Sequence, residues 1–338
     1  MILRTSVCGQ GRVSSVNLPL ARSGCFLRRA SHTLARMLDA LEFREEYVTA
    51  NGLRLHCVAA GNGRLMLFLH GFPEFWHEWK EQLREFGKDH LAVAPDLRGY
   101  NLSDKPGGLE QYRVEVLLED IRCLAEHFCG GHNFDLVGHD WGGALAWAFA
   151  IAHPERVRKL VIVNAPHPAI FTRLLAANAE QQSASQYMLL FRSAGAEAFL
   201  SAGNYAALVE AVLGDLLRRG AFTEKDKEAY QQAWSQPGAL TGGLNYYRAN
   251  QVGPPVPAEM AGEIGASQGL AADPAQWVVR VPTLVIWGEK DIALTTHNLE
   301  GLDKFVPELT VKRIPDGSHW VIHEKPAEVN RYIREFVG

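Results

Sequence analysis

Short, continuously apolar segments recur along the chain, and they constrain its fold more than any other feature of the sequence. Because these runs do not alternate apolar with polar residues, they are typical of strands buried on both faces of a parallel sheet. The six runs are Leu65–Leu69, Leu91–Ala94, Phe134–Val137, Leu160–Val163, Thr283–Trp287 and Leu309–Ile314. Helical patterns lie between several of them, at Val116–Phe128 and Ala144–Ala152, and a last helix is predicted to begin near Pro326. This alternation predicts an α/β fold with a doubly wound, mostly parallel sheet.

The alternation is interrupted between residues 165 and 276, where no convincing strand is found. The helical patterns in this stretch cover Ala196–Leu200, Tyr205–Leu213 and Lys225–Gln232. A segment rich in Gly, Pro and Ala, from Val252 to Pro274, is predicted to be a loop. We expect residues 165–276 to form a helical lid inserted between two parts of the sheet domain, residues 39–164 and 277–338. A lid over the carboxyl ends of the strands is where a ligand pocket is expected.

Residues 1–38 differ in composition from the rest of the chain. They contain six arginines, several serines and no acidic residue. This composition fits three interpretations: a mitochondrial-type targeting segment, a disordered basic tail, or sequence upstream of a translation start at Met37. No catalytic residue is expected in this region.

Overall composition excludes several classes of function. The 338 residues are 47% hydrophobic and 21% charged, which is typical of soluble globular proteins with a sizeable core. A formal net charge of −4 gives no cationic surface for nucleic acid, and no apolar run approaches the roughly 20 residues that span a bilayer. Five cysteines form neither a C-x-x-C pair nor a disulfide framework. They favour a reducing, cytoplasmic compartment, with mitochondrial targeting by residues 1–38 as the alternative.

A glycine-rich motif, Gly138-His139-Asp140-Trp141-Gly142, directly follows the run Phe134–Val137 and precedes a helical pattern. This is the G-x-nucleophile-x-G pattern of a sharp strand-to-helix turn, with aspartate in the position of the nucleophile. Isolated motifs of this form usually mark only a turn. The strand before it and the helix after it favour the functional interpretation, so Asp140 is the predicted nucleophile.

Two further loop positions complete a candidate triad. Asp291 follows the run Thr283–Trp287 and His319 follows Leu309–Ile314, in the order nucleophile, acid, histidine that this architecture uses. Taken singly, a loop-capping aspartate and a surface histidine are the more common interpretations. The loop after the fourth of the six runs offers Asn164 instead of a carboxylate. We therefore expect Asp291 to orient His319.

The loop His70-Gly71-Phe72-Pro73 follows the run Leu65–Leu69. In this architecture that loop supplies one backbone N–H of an oxyanion hole, and the residue after the nucleophile supplies the other. The predicted donors are therefore Phe72 and Trp141. The alternative is an ordinary tight turn built on Gly and Pro.

An aspartate nucleophile points to substitution at a saturated carbon. A serine attacking such a carbon would give an ether that a neighbouring base cannot hydrolyse, whereas a carboxylate gives an ester that water can open. Asp140 needs no base for its first attack, because a free Asp has a pKa of about 3.9. We expect a neutral His319, oriented by Asp291, to activate water against the ester. The reaction is then the opening of an epoxide or the displacement of a halide.

Four motifs of the chain carry a family resemblance. They are His70-Gly71-Phe72-Pro73-Glu74-Phe75-Trp76, Asp96-Leu97-Arg98-Gly99-Tyr100, Gly138-His139-Asp140-Trp141-Gly142-Gly143 and Gly317-Ser318-His319-Trp320. From about Phe43 to the C-terminus the chain closely resembles the α/β-hydrolase-fold epoxide hydrolases, whose motifs are partly shared with haloalkane and fluoroacetate dehalogenases. The resemblance implies the α/β-hydrolase fold and a small-molecule epoxide as substrate.

The resemblance also implies two lid tyrosines as proton donors, because an epoxide leaves as a strongly basic alkoxide. The second tyrosine of the family lies in a motif resembling Gly243-Leu244-Asn245-Tyr246-Tyr247-Arg248, which points to Tyr247 rather than Tyr246. The first lies near the start of the lid, where Tyr187 fits. For a lone tyrosine, packing is the more common role. Ala249 stands where the family pattern has a polar residue, and we expect this difference to alter the substrate range without touching the donors.

Together these features predict an epoxide hydrolase that forms vicinal diols through an ester on Asp140. A dehalogenase with the same nucleophile and a non-catalytic binding protein of the same fold are the alternatives. The sequence contains no zinc-spaced ligand cluster, P-loop or dinucleotide motif, so no cofactor is expected. His139 is predicted either to line the pocket or to pack within its loop.

Overall fold

An eight-stranded sheet forms the centre of the protein in the computed structural model, which describes residues 43–266 and 274–338. The strands are β1 Arg44–Ala50, β2 Leu53–Ala60, β3 Leu65–Leu69, β4 Leu91–Pro95, β5 Phe134–His139, β6 Val157–Val163, β7 Thr283–Gly288 and β8 Leu309–Ile314. Their order in the sheet is β1-β2-β4-β3-β5-β6-β7-β8. The pairs β1–β2 and β2–β4 are antiparallel and the other neighbours are parallel. The predicted doubly wound, mostly parallel α/β fold is confirmed.

Each of the six runs lies within one of the parallel strands, but Leu309–Ile314 forms β8 at the edge of the sheet, where only Ile314 is buried. Every residue of β3, β5 and β7 is buried, because helices cover both faces of the sheet. The helices on the sheet domain are α1 Lys80–Phe86, α2 Val114–Cys129, α3 Asp140–Ala152, α12 Val321–Glu324 and α13 Pro326–Val337. They divide the apolar core into two clusters, one on each face.

The insertion between β6 and β7 is helical, as predicted. Its helices are α4 Pro168–Ala177, α5 Ala179–Ala184, α6 Tyr187–Arg192, α7 Ala196–Leu208, α8 Gly214–Arg218, α9 Glu224–Ser235, α10 Ala239–Asn250 and α11 Ala261–Ile264, with a π-helical segment at Val209–Leu213. Helix α7 is interrupted near Gly203, where three consecutive residues have positive φ. The predicted loop from Val252 to Pro274 is wrong in part, because α11 lies within it, and its residues 267–273 lie outside the described residues. The predicted lid limits at residues 165 and 276 stay a prediction.

The predictions for residues 1–38 fall outside the part of the chain that the structure describes. Within the described ranges, no helix is long and apolar enough to cross a membrane.

The topology brings the predicted site residues to one edge of the sheet. Strands β3, β5, β6, β7 and β8 are parallel, so the loops at their carboxyl ends meet on the same side. These loops carry Phe72, Asp140, Asn164, Asp291 and His319. The helical insertion leaves the sheet at this edge, after β6, and its residues line a cavity together with Asp140.

Candidate active site

Asp140 stands at a strained turn between β5 and α3. Its φ is +48°, in the left-handed region that a side chain other than glycine rarely adopts. The turn is so tight that neighbouring positions must be glycine. A Cβ on Gly142 would lie 2.0 Å from the Leu69 carbonyl oxygen. A Cβ on Gly71 would lie 2.4 Å from the Cβ of Asp140. The glycines of both motifs therefore let the two loops approach closely enough for contact.

Two backbone N–H groups hold the Asp140 carboxylate. The Phe72 N–H donates to Oδ1 at 2.8 Å, and the Trp141 N–H also bonds the carboxylate. Burial raises the pKa of Asp140, while the nearby His319 and the two N–H donors lower it. The two predicted oxyanion donors, Phe72 and Trp141, therefore both bind the Asp140 carboxylate, at the start of helix α3.

His319 is held between two carboxylates. Its Nδ1 lies 2.7 Å from Oδ2 of Asp291, and its Nε2 lies 3.7 Å from Oδ2 of Asp140. The Asp291 carboxylate is fixed in turn, because its Oδ1 accepts from the N–H groups of Ala293 and Leu294 at 2.8 and 2.9 Å. The three residues of the predicted triad are therefore together in the structure, with the histidine in the middle.

The two carboxylates beside His319 raise the pKa of its imidazole. Burial lowers its pKa, but the charge and hydrogen bond of Asp291, with a further contribution from the charge of Asp140, raise it to about 9. In the resting site at neutral pH the imidazole is therefore protonated. Removal of the charge of either carboxylate would lower this pKa.

A cavity of about 670 Å³ lies between the sheet edge and the helical insertion. Asp140 lines its floor, together with the side chains of Tyr187, Met188 and Tyr247 from the insertion. Burial and the negative charge of Asp140 raise the pKa of both tyrosine hydroxyls well above the usual range, so both are protonated donors. Ala249 also lines the cavity, so its side chain is in a position to affect what fits.

The two adjacent tyrosines of α10, Tyr246 and Tyr247, lie in different environments. The Tyr246 hydroxyl is fully buried and donates to the Arg98 carbonyl oxygen at 2.9 Å. Tyr247 lines the cavity instead, and its ring contacts those of Phe72 and Trp141 edge-on at centroid distances of 5.6 and 5.3 Å. Tyr246 therefore packs away from the cavity, whereas Tyr247 lines it together with Asp140.

Helix α9 of the insertion is bonded to the loop that carries Phe72. The indole N–H of Trp234 donates to the Pro73 carbonyl oxygen at 2.6 Å. The Tyr230 hydroxyl forms a short hydrogen bond with the buried carboxylate of Glu74. These bonds fix the insertion to the sheet domain directly beside the oxyanion donor.

Sequence reasoning missed two side chains that support this arrangement. The Asn164 amide N–H donates to Oδ2 of Asp291 at 2.8 Å, a role for which the sequence carries no signal beyond its place after a strand. Glu78 contacts His139, which is fully buried and is not among the side chains that line the cavity. Of the two roles predicted for His139, the pocket-lining one is therefore wrong, and packing within the loop describes it better.

One group of described side chains has ligand atoms close enough to hold a metal ion. The ligand atoms of Glu74, Glu78 and His323 all lie within 4.8 Å of one another. These atoms already have protein partners: His323 Nε2 lies 3.1 Å from Glu74, and Gly71 donates to Glu78. Hydrogen bonding within the protein therefore accounts for this cluster.

The fold and the site define a class of protein: an α/β hydrolase with an acidic residue at the nucleophile turn. The family model described as the alpha/beta hydrolase fold matches residues 64–326. Among curated relatives, an AB hydrolase superfamily protein of Bacillus subtilis is 38% identical over 86% of this chain and 97% of its own. Epoxide hydrolase 3 of Xenopus tropicalis is 38% identical over 85% of this chain and 75% of its own.

Solved structures agree with this class. An epoxide hydrolase from Bacillus megaterium matches with a TM-score of 0.78 and 39% identity, over 86% of this chain and 99% of its own. That enzyme has been solved with an inhibitor and, as a phenylalanine-to-alanine mutant, with a naphthyloxy-propanediol product. The chain described here belongs to the epoxide hydrolase family of the α/β-hydrolase fold.

Proposed function

We propose that this protein hydrolyses epoxides to vicinal diols through a covalent ester on Asp140. The observation that carries the proposal is the setting of that carboxylate. One oxygen is held by the Phe72 N–H at 2.8 Å and the other faces His319 at 3.7 Å, while two protonated tyrosines line the same cavity. A nucleophile, a base and acid groups therefore surround one space.

In the first step, an Asp140 oxygen attacks an epoxide carbon and the carbon–oxygen bond of the ring breaks. The released alkoxide takes a proton from the hydroxyl of Tyr187 or Tyr247, giving a hydroxyalkyl ester. The raised pKa of both hydroxyls matches this task, because each keeps its proton until a strongly basic oxygen forms. A halide leaving group would need no such proton, so the two tyrosines favour an epoxide over a haloalkane.

In the second step, His319 first gives up the proton of its imidazolium form, which restores the tyrosine hydroxyl. The neutral imidazole then takes a proton from the water that attacks the ester carbonyl. Ester formation removes the negative charge of Asp140, which is one of the influences that raise the pKa of His319, so the imidazole becomes a better base when it is needed. The N–H groups of Phe72 and Trp141 stabilise the oxyanion of the tetrahedral intermediate. Collapse releases the diol and regenerates the Asp140 carboxylate.

The test is to trap the ester. His319→Gln should react once with styrene oxide and stall, so intact-mass measurement should show a single adduct, while Asp140→Ala should show none and should not turn over. In water labelled with heavy oxygen, repeated turnover of the wild type should place the label in the Asp140 carboxyl group. Absence of both the adduct and the label would overturn the covalent mechanism. Halide release from a haloalkane without epoxide turnover would instead identify a dehalogenase.

A further inference from the structure

Glu78 is a buried carboxyl group that the reaction above leaves unused. It lies in the 3₁₀ turn Trp76–Trp79, is 1% exposed, and is not among the residues that line the cavity. Its Oε2 accepts a hydrogen bond from the Gly71 N–H at 3.2 Å. Its Oε1 lies against Nδ1 of His139, and neither of those two atoms has another hydrogen-bonding partner among the described residues.

His139 links Glu78 to His319, the proposed base. Its Nε2 lies 3.0 Å from the carbonyl oxygen of His319, and since a carbonyl oxygen only accepts, Nε2 must carry a proton. Three catalytic loops therefore meet at one carboxyl group. Gly71 precedes Phe72 in the chain, His139 precedes Asp140, and the imidazole of His139 reaches the backbone of His319 itself.

One proton must lie between Glu78 and His139. A neutral imidazole protonated at Nε2 has a bare Nδ1, which would face an ionised carboxylate lone pair to lone pair. Burial raises the pKa of Glu78 well above the usual range, and the charges of Glu74 and Asp140 add to this. Burial lowers the pKa of His139, and the nearby His319 adds to that. The raised pKa of Glu78 and the lowered pKa of His139 both favour a neutral pair, in which the Glu78 carboxylic acid donates to Nδ1 of His139.

We propose that Glu78 is a positioning residue: as a neutral carboxylic acid it holds His139, and through it the His319 backbone, against the loop that carries Phe72. The proposal rests on the proposed function, because the groups it aligns are the base and an oxyanion donor of ester hydrolysis. The tyrosines that assist alkylation have no contact with Glu78 among the described hydrogen bonds and ion pairs. Loss of the carboxyl group should therefore slow the second step more than the first.

Glu78→Gln and Glu78→Ala separate this role from simple packing. An amide keeps both hydrogen bonds of the neutral acid, because its oxygen accepts from Gly71 and its NH₂ donates to His139. Gln82→Ala is the matched control: Gln82 is equally buried, four residues away, but its side chain donates to Asn330 on α13 at 2.9 Å. Each variant is mixed with excess styrene oxide, quenched at intervals, and the fraction of ester-bearing protein is measured by intact mass.

We expect Glu78→Gln and Gln82→Ala to stay within about threefold of the wild type in both steps. In Glu78→Ala, ester hydrolysis should slow by about tenfold, so the ester accumulates, while its formation stays within about threefold of the wild type. Equal slowing of both steps, or no slowing, would overturn the proposal. A Glu78→Gln variant as slow as Glu78→Ala would show that the carboxyl group acts as an ion, which also overturns it.

Infrared spectroscopy gives a readout independent of turnover, and it decides the matter if Glu78→Ala does not fold. The difference spectrum between the wild type and Glu78→Gln should contain the C=O stretch of a protonated carboxyl group, and a carboxylate band in its place would overturn the proposal. His319→Gln separates this outcome from failure of the proposed function. If that variant forms the adduct, the covalent mechanism holds whatever Glu78 does; if it forms none, the mechanism itself fails.

Discussion

The amide of Asn164 and the Nδ1 of His319 bind the same oxygen of Asp291. Asn164 donates to Oδ2 at 2.8 Å and Nδ1 of His319 lies 2.7 Å from it. Asn164 also bonds Gly288 in both directions, since its Oδ1 accepts from the Gly288 N–H at 2.8 Å and its NH₂ donates to the Gly288 carbonyl oxygen at 3.2 Å. Asn164 therefore ties the end of β6 to the end of β7 and fixes the carboxylate that orients the histidine.

Asn164→Gly should reduce turnover by about tenfold or more, because Asp291 and His319 lose an orienting hydrogen bond. Glycine is chosen because Asn164 has a φ of +38°, which an alanine would adopt only with strain. The measurement is kcat with styrene oxide. Asn298→Gly removes another buried asparagine, whose amide bonds Gln181 and Thr295 and not Asp291, and should leave kcat within about threefold. Equal losses would mean that Asn164 only stabilises the fold.

Tyr247→Phe should slow epoxide opening by about a hundredfold while barely affecting displacement of bromide, because only the alkoxide needs a proton. Rates of ester formation on styrene oxide and on a bromoalkane give the comparison. Tyr246→Phe is a matched control in the next position, since its hydroxyl bonds Arg98 outside the cavity. It should lower both rates by the same small factor. If Tyr247→Phe did the same, that tyrosine would be a packing residue.

The rate of ester hydrolysis should rise with pH, with a midpoint below 9. In the free enzyme the pKa of His319 is raised to about 9, so the imidazole is protonated at neutral pH. In the ester, Asp140 is neutral and the pKa of His319 falls, so the base form is present at lower pH. Single-turnover decay of the ester, followed by mass spectrometry from about pH 6 to about pH 10, gives this midpoint. A midpoint at or above that of His319 in the free enzyme, measured by NMR titration, would contradict the prediction.

His319 should also make the free energy of unfolding depend on pH. Its folded pKa of about 9 lies above the unfolded value of about 6.5, so its contribution is fully present below pH 6.5 and is lost as the pH rises towards 9. Over this pH range the free energy of unfolding should fall by about 3 kcal/mol. Urea unfolding at several pH values should show this decline in the wild type and a flatter profile in His319→Gln. Parallel profiles for the two proteins would rule out the raised pKa.

Ala249→Leu should narrow the substrate range, because Ala249 lines the cavity and a larger side chain would fill part of it. We expect kcat/KM to fall by about tenfold for a bulky aryl epoxide and by less than threefold for propylene oxide. Ala198→Leu makes the same change at an exposed position of α7 and should alter neither value. A uniform fall with both substrates would instead indicate damage to the helix that carries Tyr247.

The sequence predicts the sheet and its catalytic loops because both depend on local signals. Continuous apolar runs mark buried strands, and Asp140, Asp291 and His319 each follow one of them. The helix α10, which carries Tyr247, shows no clear helical pattern in the sequence. Gly242 and Gly243 lower its helix propensity. Nearly all of its middle is buried, so apolar and polar residues do not alternate with the helical period of 3.6 residues. Tyr187 is predicted from the family resemblance together with its spacing from Asp140, near the start of the lid.

The supporting residues were beyond sequence reasoning for a different reason. Asn164 and Glu78 act on partners that lie 127 and 61 positions away along the chain, at Asp291 and His139. Neither residue type nor spacing indicates such a pairing, because the contacts exist only after β6 meets β7 and after Glu78 meets His139 at the end of β5. Burial then decides their protonation, and burial is a property of the finished fold.

The anchoring of α9 limits how molecules can reach Asp140. A lid that swung open as one piece would break the bonds from Trp234 to Pro73 and from Tyr230 to Glu74, close to the Phe72 N–H that holds the Asp140 carboxylate. The cavity meets solvent instead near the exposed side chains of Arg113 and Glu115. We therefore expect substrate and product to enter and leave past these two side chains. For protein engineering, cavity-lining positions such as Met188 and Ala249 can be changed to alter selectivity, while Tyr187, Tyr247 and the anchored helix α9 should be kept.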